Sequence, residues 1–485
     1  MRPFGLLTRR WSRLLVVGAT ALSTGCVSAM RQAVDGRMVA FAPSGLTQRD
    51  ALLRDLLVAG AAELAVDALS TRARAAPLPA PFAGARLART GDDLLDHLLL
   101  GSAAFYAGRY GASTESILAA ERLAEQRMTR SLTREATALL INDLARGYRP
   151  SRTELAMLPY YGTLAFLARG DLDGALVEAR RLALRLEETE AQQAAHDRSL
   201  RAALRLVTAS VFEAAGEWND AGVARRHVAA LTGDSSWLLP DSVRGPGPDS
   251  VDVLLVVEQG FAPHRVMQRA VVGGGSIGDA LGVLARQDGD GGVFGVGRWR
   301  SHGWWLDPRA DGGELRDALL LAWPVLSRAL APTAMTAGVG DRAPVPLVMA
   351  DVGASITDEY RRALPGILTR VAARAAARRA TLDLARGKKG KGRAIAAAVA
   401  VTAAALDVAD TRGWSTLPNG IGVQRLRVPS GLGQVRVHLG GRDLSVPLGR
   451  RVGGLVLAHH RAFDGGAPGL LAGAALQSVM GMTLP

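Results

Sequence analysis

The stretch YYGTLAFLARGDLDGA, residues 160–175, decides the fold of the central part of the chain, because its spacing recurs twice. The other copies are LLLGSAAFYAGRYGAS (98–113) and VTASVFEAAGEWNDAG (207–222). In each, a glycine (Gly108, Gly170, Gly216) is followed by a large residue two places on (Tyr110, Leu172, Trp218). A small residue comes three places after that (Ser113, Ala175, Ala221). A glycine supplies the turn dihedrals that other residues resist. The small residue lets two helices approach, and the large one fills the space between them. After Gly170, apolar or small residues fall at Leu172, Ala175, Leu176, Ala179, Leu182, Ala183 and Leu186, one stripe of an amphipathic helix. Glu178, Arg180, Arg181 and Arg185 take the other side, with Asp171 and Asp173 in the first turn as the helix dipole favours. The preceding helix is expected over roughly 153–168.

This grammar resembles the tetratricopeptide repeat, a helical array with a concave binding face. The three glycines lie 62 and 46 residues apart rather than at a regular ~34, so the array is irregular, with an extra helix or loop inserted around 131–152. The alternative is an ordinary α-helical bundle with glycine turns. Either way residues 91–237 are predicted to be all-α.

The N-terminus carries the most specific signal. Arg2, Arg9, Arg10 and Arg13 precede the short apolar run Leu14–Leu22, and Ser-Thr-Gly-Cys26 follows. The run is too short to span a bilayer, which takes about 20 residues. Small residues before a cysteine resemble a bacterial lipobox, in which Cys26 would be acylated after removal of 1–25. Cys26 is the only cysteine, so it has no internal disulfide partner. Ser23 stands where the lipobox usually has a large aliphatic residue. Plain secretion and an uncleaved anchor are the alternatives. With Val27 after the cysteine, the outer membrane, periplasmic face, is the expected location. Residues 26–90 read as a tether, a helix from Thr47 to about Ser70, and a proline-rich linker over 72–84.

With 485 residues the chain has room for two or three domains, and 48% hydrophobic content provides for their cores. The formal charge of +13 falls to +9 once the four arginines of 1–25 are gone. That surplus fits an anionic lipid or glycan, and for a secreted chain no nucleic-acid partner is expected.

Leu238–Ser250, rich in Pro, Gly and Asp, marks a boundary, after which the composition changes. Val251–Val257 reads as a buried strand ending at Glu258, and Val345–Met349 as a second. Ser355 and Asp358 have capping-box spacing at the start of a long helix reaching about Arg386, bent near Pro365. Gly387–Gly392 (GKKGKG) holds all three lysines, and Ala394–Leu406 reads as a buried helix too short to span a bilayer. After Trp414 the period becomes two: Val435, Val437 and Leu439, then Leu444, Val446 and Leu448, with Leu455 and Leu457 adding an edge. The predicted class is therefore α+β: an irregular tetratricopeptide-like array, a mixed α/β region (251–410), a small antiparallel β-sheet or sandwich (411–460) and a flexible tail (461–485).

Motifs that would carry catalysis are sparse. Gly273, Gly275 and Gly278 match a dinucleotide fingerprint, but a lone match among 56 glycines reads as a loop, and no cofactor is expected. Trp299, His302, Trp304 and Trp305 cluster near Asp307, Asp311 and Glu314. They read either as aromatics tucked under a loop or as a glycan or lipid contact, since indole faces stack on sugars. No HExxH, cysteine–histidine zinc spacing, GxSxG or GKS/T phosphate loop occurs. His459 and His460 would point to opposite faces of a strand, which argues against a shared metal. Arg370, Arg374, Arg378 and Arg379 with the lysine loop form a basic stripe, read as a solvated helix face or as a contact for an anionic polymer. No catalytic or metal-binding residue is assigned.

GDLDGALVEARR (170–181), VDVLLVVEQGFAPHR (251–265), RVPSGLGQVRV (427–437) and ADTRGWSTLP (409–418) resemble, in order of position over roughly 95–440, a family of uncharacterised Gram-negative lipoproteins. That resemblance implies a lipobox, a tetratricopeptide-like N-terminal half and a mixed C-terminal half, and no activity. The expectation is a lipid-anchored scaffold that is not an enzyme. It would hold a protein partner in its helical groove, in envelope assembly or cell-wall synthesis. The alternatives are a glycan- or anionic-lipid-binding lipoprotein and, remotely, an enzyme with a polar cluster between its helical and C-terminal halves.

Overall fold

A computed structural model describes residues 39–40, 46–71, 75–79, 82–129, 147–190, 197–238, 245–272, 319–328, 330–340, 343–386 and 408–463. Over these the chain has the α+β architecture expected. Six helices make three consecutive hairpins: α3 (Asp93–Tyr106) with α4 (Tyr110–Thr129), α5 (Arg152–Arg169) with α6 (Leu172–Glu190), and α7 (Asp197–Ala214) with α8 (Trp218–Thr232). Gly108, Gly170 and Gly216 stand between the two helices of each, at φ 74°, 86° and 78°. The left-handed region is required there, and only glycine enters it without strain. Ser113, Ala175 and Ala221 are wholly buried, and Tyr110 and Leu172 pack against the core beside them. The hairpins close tightly: a Cβ at Gly174 would meet the Phe166 ring at 2.4 Å, and one at Gly101 would meet Ile117 at 2.8 Å.

Two sheets follow. The larger has the order β13-β14-β4-β10-β9, built from β4 (Ser250–Gln259), β9 (Val348–Asp351), β10 (Gly420–Pro429), β13 (Arg451–Val452) and β14 (Leu455–Ala462). The smaller, β12-β11-β7-β8, contains β7 (Met335–Gly338), β8 (Val345–Pro346), β11 (Gln434–Leu439) and β12 (Arg442–Pro447). Strand alternation sorts the large sheet's side chains. Leu254, Val256, Ile421, Val423, Leu455 and Leu457 face the helices and share one core with them. Val253, Leu255, Val257, Val428, Val456 and Ala458 face Met335, Ala337, Val435, Val437 and Val446 of the small sheet. The molecule is thus layered as helices, sheet, sheet, and the segments 251–410 and 411–460 contribute strands to both sheets.

Several expectations need correction. The helix foreseen over 47–70 is two, α1 (Gln48–Val58) and α2 (Ala62–Ser70). Gly60 (φ 70°) ends the first, and the Ala61 amide closes back on the Leu56 carbonyl at 2.8 Å. The linker contains β2 (Ala75–Pro77), paired with β3 (Arg86–Ala88). Val345–Met349 is split between the two sheets. The long helix α9 (Val352–Arg386) begins before Ser355, and its cap is Asp351, whose Oδ1 accepts from the Ala354 amide at 2.7 Å. Leu455 and Leu457 do not extend the β11–β12 hairpin: β14 runs parallel to β4 inside the large sheet and continues through Arg461 and Ala462, residues foreseen as tail. A third sheet joins β1 (Val39–Ala40), β5 (Arg265–Val272) and β6 (Leu319–Leu326), and packs Leu321, Trp323 and Val325 on Ile367 and Val371 of α9. Arg374, foreseen on a solvated stripe, is buried.

Candidate functional site

The inner face of the helical array is not open. The first helix of every hairpin lies on the large sheet or the segment leading into it. From α3, Ser102 Oγ contacts Thr416 Oγ1 at 2.6 Å and accepts from the Trp414 indole N–H at 3.1 Å. From α5, Glu154 accepts from the Trp414 amide at 2.9 Å, and Tyr161 packs on the Trp414 ring. From α7, Glu213 pairs with Arg425 of β10 at 2.6 Å. The hairpin turns are engaged as well: a Cβ at Gly453, in the β13–β14 turn, would touch Leu172 at 2.6 Å and the Ala214 carbonyl at 2.8 Å. The groove residues Gly108, Tyr110, Gly170, Leu172, Gly216 and Trp218 therefore shape a wall whose inner side the chain's own sheet covers. The groove expected to hold a protein partner is covered on this side by the chain's own sheet.

A polar network fastens helices to sheet. Glu258, wholly buried near the end of β4, accepts from Tyr106 Oη (2.8 Å) and Tyr160 Oη (3.0 Å). His459 Nε2 and Arg461 Nη1 approach it at 3.3 Å each. Tyr106 and Tyr161 hydroxyls are 2.6 Å apart, and the His459 ring stacks on Tyr106 and meets Phe105 edge-on. Arg461 also donates to the Gly260 carbonyl at 2.6 Å. Burial alone would raise the Glu258 carboxyl. The hydrogen bond and charge of His459, the charge of Arg461 and the Tyr106 hydroxyl outweigh it and hold the pKa at about 2. Among the described residues the carboxylate is bonded to side chains of both helices and sheet, so the network locks the layers together.

Beside the array, where its α5 start meets α1, the β4–β5 turn and α9, lies a cavity of about 510 Å³, within the range of small-molecule sites. Its walls come from α1 (Thr47, Asp50), the start of α5 (Arg149–Glu154), the β4–β5 turn (Pro263, His264, Arg265), α9 (Ile356, Glu359, Tyr360, Arg362) and the segment Thr411–Ser415. Two phrases that carried the family resemblance, 251–265 and 409–418, supply part of it. The cavity's three carboxylates are already engaged. Asp50 binds Arg49 (2.7 Å) and accepts from Ser415 (2.9 Å). Glu154 closes a capping box on Ser151. Glu359 accepts from the Arg152 and Thr153 amides at the start of α5 (2.9 and 2.7 Å), and burial raises its pKa against those bonds. Four arginines, Arg149, Arg152, Arg265 and Arg362, line the same space. Among the described residues neither Arg152 nor Arg265 has a carboxylate within ion-pair distance.

Cys26, the Gly273–Gly278 motif, Trp299, His302, Trp304, Trp305, the lysine loop and Ala394–Leu406 lie outside the described residues, as do the side chains of Arg378 and Arg379. His459 and His460 are consecutive on a strand, and His459 serves Glu258. Among the described residues no group of three metal-ligating side chains forms, and no helix is long and apolar enough to cross a membrane. Sequence reading missed the cavity and the Glu258 network. A lone glutamate ending the apolar run VLLVVEQ was the available signal. No family model, curated protein or solved structure matches the chain.

Proposed function

We propose that this chain is a binding protein of the cell envelope, anchored through Cys26, whose ligand is a small anion held in the cavity between the helical array, the β4–β5 turn and α9. The observation that carries this is the charge arrangement of the wall: its carboxylates are bonded to the chain's own donors, while Arg152 and Arg265 are left to meet an incoming negative charge. Coverage of the array's inner face by the sheet favours this reading over a scaffold holding a partner in an open groove. A second reading, a protein partner on the outer side, rests on Val177 and Leu184 of α6, exposed and two helical turns apart.

The test is equilibrium binding of 1-naphthalenesulfonate to the full chain, with Arg152→Ala and Arg265→Ala. Each substitution is expected to weaken binding by about tenfold or more, the contribution of a charged hydrogen bond out of water. If wild type does not bind the probe, or if neither variant weakens it, the proposal fails.

A further inference from the structure

We infer that His264 is fixed as a neutral hydrogen-bond donor and reads an acceptor oxygen on the ligand, so that the cavity selects an amphiphilic oxyanion. This rests on the binding proposal above and names the residue that gives it specificity.

The other ring nitrogen, Nδ1, fixes the tautomer. Arg54 Nη1 lies 3.3 Å from His264 Nδ1, and Ser327 Oγ lies 3.1 Å from it. A guanidinium has only donors, so Nδ1 must accept. Ser327 Oγ already accepts from the His264 amide at 3.0 Å, which turns its own proton toward the ring. With Nδ1 supplied by donors, the single proton of the neutral imidazole sits on Nε2. The geometry is rigid, because Arg54 also donates to the Ser415 and Ala262 carbonyls at 2.8 and 3.0 Å and lies over the Phe261 ring. Protonating Nδ1 would set a second cation against Arg54. Burial first and that charge second push the His264 pKa down to about 4. The other charged groups on the cavity walls are Asp50 from α1, Arg149, Arg152 and Glu154 at the start of α5, Arg265 at the start of β5, and Glu359 and Arg362 from α9. Asp50 opposes the shift without reversing it.

Among the described residues no protein acceptor takes the Nε2–H, and His264 lines the cavity. An unengaged donor beside arginines suits an oxyanion. Leu326, Ile356, Ala363 and Trp414 complete the wall with apolar residues, which suits a hydrocarbon or aromatic body attached to that anion.

Three probes separate the parts: 1-naphthalenesulfonate, ionised at every working pH, inorganic sulfate as the anion alone, and 1-naphthol as the uncharged body. Wild type should bind the first at least tenfold more tightly than either other. His264→Asn keeps an oxygen where Nδ1 accepted from Arg54 and has nothing at Nε2, so affinity should fall on the order of tenfold. His264→Gln, which returns an amide N–H near the Nε2 position, should recover part of the loss. If His264→Asn binds like wild type while Arg152→Ala and Arg265→Ala lose binding, the anion site stands and the role of His264 is overturned. Equal affinity for sulfate and the sulfonate overturns the amphiphile. A second readout does not depend on any variant folding. In 15N-histidine-labelled wild type, His264 should show the Nε2–H tautomer at both pH 5.5 and pH 8. An imidazolium or an Nδ1–H there overturns the inference.

Discussion

Replacing Glu178 with glutamine should remove most of the pH dependence of stability that arises between α4 and α6. Glu178 is buried in α6 above Gly162 of α5, where a Cβ would meet its Cγ at 2.9 Å. Among the described residues Arg181, half exposed, is the one cation binding both it and Glu121 of α4, at 2.7 Å each, with Glu125 and Arg185 farther out. Glu178 Oε2 has no donor unless a proton is shared with Glu121. Burial first, and the Glu121 charge second, raise the Glu178 pKa to about 8. A carboxyl whose folded pKa lies above its unfolded value contributes stability that is complete below about 4.5 and is lost as pH rises toward 8. At about 1.36 kcal/mol per pH unit the ceiling is roughly 5 kcal/mol. Screening near the exposed Arg181 and division of the proton with Glu121 lower the expected loss to about 2–3 kcal/mol between pH 5 and 8.5. Urea denaturation at those two pH values reads it. Wild type minus Glu178→Gln should change by that amount, with the variant the more stable at pH 8.5. A difference that stays constant within about 0.5 kcal/mol would refute the shared proton.

Two further outcomes follow from the same physics. Glu258→Ala leaves the buried Arg461 and two tyrosine hydroxyls without their acceptor and should cost about 3–5 kcal/mol in a denaturant midpoint, where a cost under about 1 kcal/mol would show the network to be passive. In wild type the contribution of Glu258 is complete above the ordinary glutamate value and is lost as pH falls toward about 2. For the anchor, Cys26→Ala should move the protein from the membrane to the soluble periplasmic fraction, with intact mass showing acyl chains on wild type only. A variant that stays with the membrane removes Cys26 from the proposal.

The hairpins were legible because their signal is local. A glycine forced to positive φ, with a small residue five places on, needs no distant partner to be recognised. The β11–β12 hairpin was legible for the same reason, since Val435, Val437 and Leu439 alternate cleanly and their register with β12 follows from the Gly440–Gly441 turn. The layering was not. In α7 every residue from Leu200 to Glu213 is buried, including Arg205 and Glu213, so even its polar residues are enclosed by the protein. Placement of β14 beside β4 brings together residues about two hundred positions apart, and a short apolar run carries no mark of its partner or direction. The cavity is harder still to read, being the remainder after six chain segments have packed. Its arginines and His264 are unremarkable singly, and the Arg54 contact that fixes His264 spans 210 residues.

The buried network constrains what the helical array can bind. For a partner to enter the inner face, the sheet would have to leave, and Glu258 would lose the Tyr106 and Tyr160 hydroxyls while its pairing with Arg461 was exposed to water. The same movement would uncover Leu254, Val256, Ile421 and Val423 on one side and the buried faces of α3, α5 and α7 on the other. Apolar exposure at about 25 cal/mol per Å² over such a surface exceeds what a typical partner contact returns. The cavity carries no such penalty: its carboxylates are satisfied, and the proposed amphiphilic anion would meet arginine side chains and apolar wall without moving a strand. On the proposed reading, recognition lies at the seam beside the array, where the start of α5 sets the position of Arg152.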